Sequence, residues 1–137
     1  MINKEIIKLA SDTSNVGLKN KYSHKISLKN STCGDKITLE LIIDKKKISS
    51  MKYETVSCIY CEASASLLSK KLKNIRLKDI KTDFMALKKI STKKNGKMPK
   101  KFSDFKKLLN SDNFNRFKCV FLPIDAVLKA LKLWEKY

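Results

Sequence analysis

Three apolar–polar alternations follow one another early in this chain, and they constrain its fold more than any other feature. Tyr22, His24, Ile26 and Leu28 alternate with Ser23, Lys25 and Ser27. Ile37, Leu39, Leu41 and Ile43 alternate with Lys36, Thr38 and Glu40, and a weaker alternation runs from Ile48 to Ser57. Successive side chains of a strand point to opposite faces, so a period of two gives one face to a core and the other to water. The links between these runs are a turn, Asn30 to Asp35, and a hairpin loop, Asp44 to Lys47. A parallel crossover needs a dozen or more residues, so strands joined by such short links pair as an antiparallel meander.

Helical spacing takes over behind the third strand. Tyr60, Ser64, Leu67, Leu68 and Leu72 recur at that spacing. They predict a helix running from about Glu62 to Lys73–Asn74, with Cys58 at or just before its N-terminus. Leu77, Ile80, Phe84 and Leu87 predict a second helix. Residues 91–101, with Gly96 and Pro99, read as a long basic loop, and Phe102, Phe105, Leu108 and Leu109 as a short third helix before a turn at 110–115. Val120, Ile124, Val127, Leu131 and Trp134 then form a continuous apolar stripe. Proline is best tolerated in a first turn, so Pro123 puts the start of that regular helix near Leu122. Ahead of the strands, Ile2 to Ala10 reads as a short amphipathic helix and Ser11 to Asn20 as a loop. The expected fold is one α+β domain spanning 1–137, a three-stranded antiparallel sheet with helices packed on one side.

At 137 residues and 42% apolar composition, the chain is long and apolar enough for a real core. No apolar run approaches the ~20 residues of a membrane span. Met1 to Glu5 opens no apolar signal segment, so a cytoplasmic location with no membrane partner is expected. The net charge of +18 has two readings, a surface for nucleic acid or another acidic partner, or lysine-rich solvated faces. The arginines are Arg76 and Arg116 alone, and base-reading proteins lean on arginine. The lysines are spread along the chain without interleaved aromatics, so solvated faces are favoured over nucleic acid.

Four cysteines, Cys33, Cys58, Cys61 and Cys119, in a reducing compartment point to metal binding or catalysis rather than disulfides. Unpaired N–H groups and the helix dipole at a helix N-terminus favour the thiolate of Cys58, and Cys119 just precedes the last apolar stripe. Cys33-Gly34-Asp35 sets a thiol and a carboxylate on a turn in which Gly34 can take positive φ. Three thiolates and one carboxylate suit tetrahedral zinc or iron in a cluster. Plainer readings compete: an ordinary β-turn at Cys33-Gly34-Asp35, a small buried hydrophobe at Cys119. Cys58-x-x-Cys61 has the form of a redox pair, but no βαβ pattern surrounds it and it leaves Cys33 and Cys119 unexplained. A paired-CxxC zinc knuckle lacks its second pair. Ser64 and Ser66 lack a nearby base, since the single histidine, His24, reads as a strand-face side chain.

Asn30-Ser31-Thr32-Cys33-Gly34-Asp35 resembles the N-P-x-C-G-D signature of the iron–sulfur cluster scaffold family, the SufU/IscU-like fold of the NifU N-terminal domain. Cys58 to Ser66 resembles that family's C-x-I-S-x-A-S-A-S, with Ala63-Ser64-Ala65-Ser66 in register, and Arg116-Phe117-Lys118-Cys119 resembles the R-x-K-C of the SufU branch. Lys118 stands where IscU proteins carry histidine, and Lys88 to Asn110 resembles the SufU insertion. The chain departs from the pattern at Ser31, normally proline, and at Cys61, normally serine. The resemblance implies a site of Cys33, Asp35, Cys58 and Cys119 that binds zinc, or iron in a transient 2Fe–2S cluster. It implies persulfide sulfur taken from a cysteine desulfurase at Cys33 and clusters passed to apo iron–sulfur proteins, a scaffold or sulfur-transfer role rather than an enzyme's. Cys58 and Cys119 would anchor the metal and Asp35 tune its lability. Gly34 would support the turn, and Arg116 orient the site or dock the desulfurase. The competing classes are a basic nucleic-acid-binding module with a structural zinc and a thiol oxidoreductase using Cys58 and Cys61.

Overall fold

In a computed structural model that describes residues 3–31, 33–93 and 98–132, the alternating runs form strands β1 (His24–Lys29), β2 (Lys36–Asp44) and β3 (Lys47–Val56). They pair antiparallel in the order β1-β2-β3. The register sets Ile26, Leu39 and Tyr53 in one cross-strand row and His24, Leu41 and Met51 in another, on the face that meets the helices. Tyr22, expected to open the first strand, lies before it and is exposed. The β2–β3 link is a two-residue turn with φ of 52° at Lys45 and 65° at Lys46. Positive φ at both central residues gives the twist that a tight hairpin requires.

Among the described residues, four α-helices accompany the sheet: α1 (Lys4–Ser11), α2 (Ile59–Lys71), α3 (Leu77–Lys93) and α4 (Phe117–Ala130). Asn3 caps α1 by accepting from the Ile6 N–H at 3.0 Å. Helix α2 is the centre of the molecule. Ala63 to Ser69 are all buried, and their small side chains let α1 and α4 pack against it while it lies on β3. Helix α4 covers β1 and β2. Among the described residues, no helix is long and apolar enough to cross a membrane.

The segment Lys100–Lys107 is two 3₁₀ pieces joined at a kink at Phe102 (φ −111°, ψ 19°) rather than an α-helix. Phe102, Phe105 and Leu108 are all buried and stand three residues apart, and the 3₁₀ helix has three residues per turn. A further 3₁₀ helix, Ser111–Arg116, replaces the expected turn and runs directly into α4. Helix α4 therefore begins at Phe117, not near Leu122, and Pro123 lies inside it. Proline offers no N–H to the Cys119 carbonyl one turn back. The Ser64 hydroxyl of α2 donates to the neighbouring Val120 carbonyl at 2.5 Å and ties the two helices at this level. Trp134 and Gly96 lie outside the described residues.

The loop before β1 does more than connect. Gly17 donates to the Tyr53 carbonyl at 2.8 Å, along the free edge of β3. The N–H groups of Lys19 and Asn20 then reach the Glu40 carboxylate at 2.8 and 3.1 Å. Glu40 faces away from the helices yet is 1% exposed, because this loop covers it.

Candidate metal centre

The β1–β2 turn carries the first pair of chemical groups. Asn30 closes it from both ends: its carbonyl accepts from Gly34 at 2.8 Å and its N–H donates to the Asp35 carbonyl at 2.7 Å. Gly34 sits at φ 76°, in left-handed territory where a Cβ is strained. The turn leaves Cys33 exposed and buries Asp35 to 4% exposure.

Cys58 is the N-cap residue of α2, and its side chain makes no capping bond. Asp35 acts there instead: Oδ1 accepts from the Cys58 N–H at 2.9 Å. A carboxylate at this end of a helix meets unpaired donors and the positive end of the dipole. The other oxygen, Oδ2, accepts from the thiols of Cys33 at 3.2 Å and Cys58 at 3.5 Å. Cys119 enters from the first turn of α4, 2% exposed, with its Sγ 3.3 Å from Cys33 Sγ.

Among the described residues, donor atoms of Cys33, Asp35 and Cys119 lie within 4.8 Å of one another, and Cys58 adjoins the group through Asp35. Ligands ~2.3 Å from a tetrahedral ion stand about 3.8 Å apart, so donors at this spacing fit around one ion. Thiol sulfur is the donor that zinc and iron–sulfur clusters prefer, and the carboxylate is a harder and weaker fourth.

Charge in the cluster is arranged by burial and hydrogen bonding. Burial opposes the ionised form of Asp35, but bonds from Cys119, Cys33 and the Cys58 N–H outweigh it and hold the carboxyl below its ordinary range. Burial, and then the neighbouring Asp35 and Cys33, push the Cys119 thiol upward. A bound cation reverses that balance, since only the thiolate is a ligand.

The remaining sequence candidates fall around this cluster or away from it. Cys61, at the third position of α2, is fully buried, and burial pushes its thiol up to about 12. The thiol of Cys58, the one that would attack in a helix-start CxxC, turns instead to Asp35 Oδ2 at 3.5 Å and joins the cluster of Cys33, Asp35 and Cys119. His24 opens β1, and the cysteine turn follows the other end of that strand. Arg116 stands at the start of α4 with its guanidinium 5.9 Å from the centroid of the Tyr60 ring. That seat for Arg116 was not legible, because Tyr60 shows in the sequence only as one member of a helical stripe.

Residues 1–113, which include Cys33, Asp35 and Cys58, match the family model for the NifU-like N-terminal domain. The chain is 32% identical over 111 residues to the iron–sulfur cluster assembly scaffold protein IscU of Thermotoga maritima, covering 76% of this chain and 73% of that one. Its fold is similar to the crystal structure of a nitrogen-fixing NifU-like protein (N-terminal) from Brucella abortus, with a TM-score of 0.84 at 21% identity over 98% of this chain and 94% of that one. It is also similar to a putative scaffold for the SUF system from Fervidobacterium islandicum, with a TM-score of 0.80 at 18% identity over 95% and 96% of the two chains. Those folds extend over α4 and so include the segment that carries Cys119. The motifs, the meander with its central helix and these matches agree: the chain belongs to the NifU-like N-terminal domain family of iron–sulfur cluster scaffolds.

Proposed function

We propose that this protein is a scaffold on which iron and sulfur are assembled into a labile cluster and from which that cluster passes to other proteins. The observation that supports this most is the meeting of Cys33, Asp35, Cys58 and Cys119, drawn from a turn, a strand–helix junction and a distant helix. Sulfur arrives as the outer sulfur of a persulfide on a cysteine desulfurase. The thiolate of Cys33, on its exposed turn, attacks that sulfur. A new S–S bond forms on Cys33, the old S–S bond breaks, and the desulfurase cysteine leaves as thiolate, so no external oxidant is needed. To become cluster sulfide that outer sulfur takes two electrons from a thiol or electron-transfer reductant, which frees the Cys33 thiolate, and Cys58 and Cys119 hold the product from more enclosed positions. Asp35 is the weak ligand, and when it lets go its carboxylate still has the Cys58 N–H to bond. Zinc, where it is bound, keeps the thiols deprotonated in the same positions.

Metal and acid-labile sulfide content after anaerobic purification, and after reconstitution with iron, cysteine and a desulfurase, tests this reading. Acid-labile sulfide bound with iron, and lost in Cys58→Ser, is expected. A protein that holds zinc alone and gains no sulfide under reconstitution is a sulfur-transfer partner and not a scaffold.

A further inference from the structure

Beside the cysteine cluster the surface opens into a groove of about 760 Å³. Leu28 of β1 forms one wall, Phe117, Phe121 and Leu122 of α4 the other, and Phe114 stands at the mouth. Phe114 is 68% exposed and meets Phe117 edge-on, with ring centroids 5.6 Å apart. Folding does not call for a phenyl ring in water, and an exposed aromatic beside an apolar groove marks a surface that something else covers. Lys29, Lys88, Lys118 and Lys129 also line the groove, against a single acid, Asp125, whose carboxylate pairs with Lys88 at 2.5 Å. The field at the mouth is therefore positive. The groove adjoins the cluster directly, for Asn30 and Ser31 lead into the Cys33 turn and Lys118 precedes Cys119.

We propose that this groove docks an acidic segment of a partner protein, with one bulky apolar side chain between Phe114 and Phe121 and flanking Asp or Glu against the lysines. Charge complementarity selects this occupant. A second copy of the chain would bring another +18 to a basic surface. A small ligand would need polar groups converging inside the groove, whereas Lys29, Lys118 and Lys129 are exposed at its edge. A docked segment would hold its parent protein against the Cys33 turn. That consequence rests on the scaffold reading, but the binding itself does not.

The test uses metal-free, reduced protein and fluorescence anisotropy of a labelled peptide of Asp and Glu around a central phenylalanine, at about 150 mM salt so that long-range attraction is screened. Two comparison probes are the same peptide with serine at its centre and an oligothymidylate of equal charge. The phenylalanine peptide is expected to bind about tenfold more tightly than the serine peptide, as a buried aromatic anchor does. Phe114→Ser and the double variant Lys29→Glu/Lys118→Glu should each weaken it about tenfold. Lys106→Glu, on the 3₁₀ segment that packs against α2, should change it by less than about twofold. Equal binding of the serine peptide, tighter binding of the oligonucleotide, or no effect of Phe114→Ser would overturn the proposal. Since Phe114 is exposed, its variant should keep the native thermal unfolding curve, which excludes misfolding as the cause of lost binding. Loss of cluster assembly with peptide binding intact would fault the scaffold reading and leave the groove standing.

Discussion

At the scale of single residues, Gly34 and Cys61 hold opposite kinds of constraint. A side chain at Gly34 meets open space but must adopt φ 76°, so only the backbone resists it. Gly34→Ala should cost about 1 kcal/mol in urea denaturation and weaken metal binding, since the turn aims both Cys33 and Asp35. Cys61 is the reverse, conformationally ordinary and fully buried. Its thiol stays protonated to about 12 in the fold, but ionises near 8.5 in the unfolded chain. A raised folded value contributes stability that is complete below the unfolded pKa and is lost as pH rises toward the folded one. Urea midpoints of wild type and Cys61→Ser at about pH 8 and pH 10 should therefore converge by roughly 1–2 kcal/mol, wild type losing more. Cys61→Ser should also keep its metal where Cys58→Ser loses it, measured by metal analysis, because Cys58 and not Cys61 reaches Asp35. Asp35→Ala should slow cluster transfer to an apo-ferredoxin, followed by absorbance, because it removes the ligand proposed to be the weak one. The types of these residues were legible, because a thiol, glycine and carboxylate on one turn are chemically conspicuous. Their meeting was legible only through the resemblance of three motifs to one family, since a separation of 86 residues between Cys33 and Cys119 by itself carries no distance information.

Among the elements, the meander was legible because period-two alternation and short links leave one pairing. The start of α4 was not. The rule that places proline in a first turn is a local one, and here tertiary bonds override it. The 3₁₀ helix Ser111–Arg116 delivers the chain already coiled, and the Ser64 hydroxyl ties Val120 to α2. Ser64→Ala should therefore destabilise the protein by about 1 kcal/mol in urea, since it removes a buried hydrogen bond between α2 and α4. The 3₁₀ form of Lys100–Lys107 did have a signal, the strict three-residue spacing of Phe102, Phe105 and Leu108, which a search for α-helical stripes absorbs. Glu40 shows the same limit in the sheet. Alternation assigns it to water, and only a loop twenty residues earlier in the chain covers it.

For the molecule as a whole, 31 basic against 13 acidic side chains mean that repulsion exceeds attraction on the surface. Ion pairs such as Lys71–Asp104 and Lys107–Glu5 are surface contacts of small individual worth. Raising sodium chloride from about 10 to about 300 mM should then raise the melting temperature by a few degrees, as screening relieves the excess charge. The span between Cys33 and Cys119 bears on the whole molecule in another way. A cargo held between them, as proposed, closes a circuit through β2, β3, α2, α3 and the two 3₁₀ segments to the first turn of α4, and so acts as a fastener as well. A ligand held only by the folded chain adds about 2.7 kcal/mol at a hundredfold excess over its dissociation constant. On the proposed function, delivery of the cluster unbuttons the carrier, and a protease that cuts opened chains should remove spent molecules before laden ones.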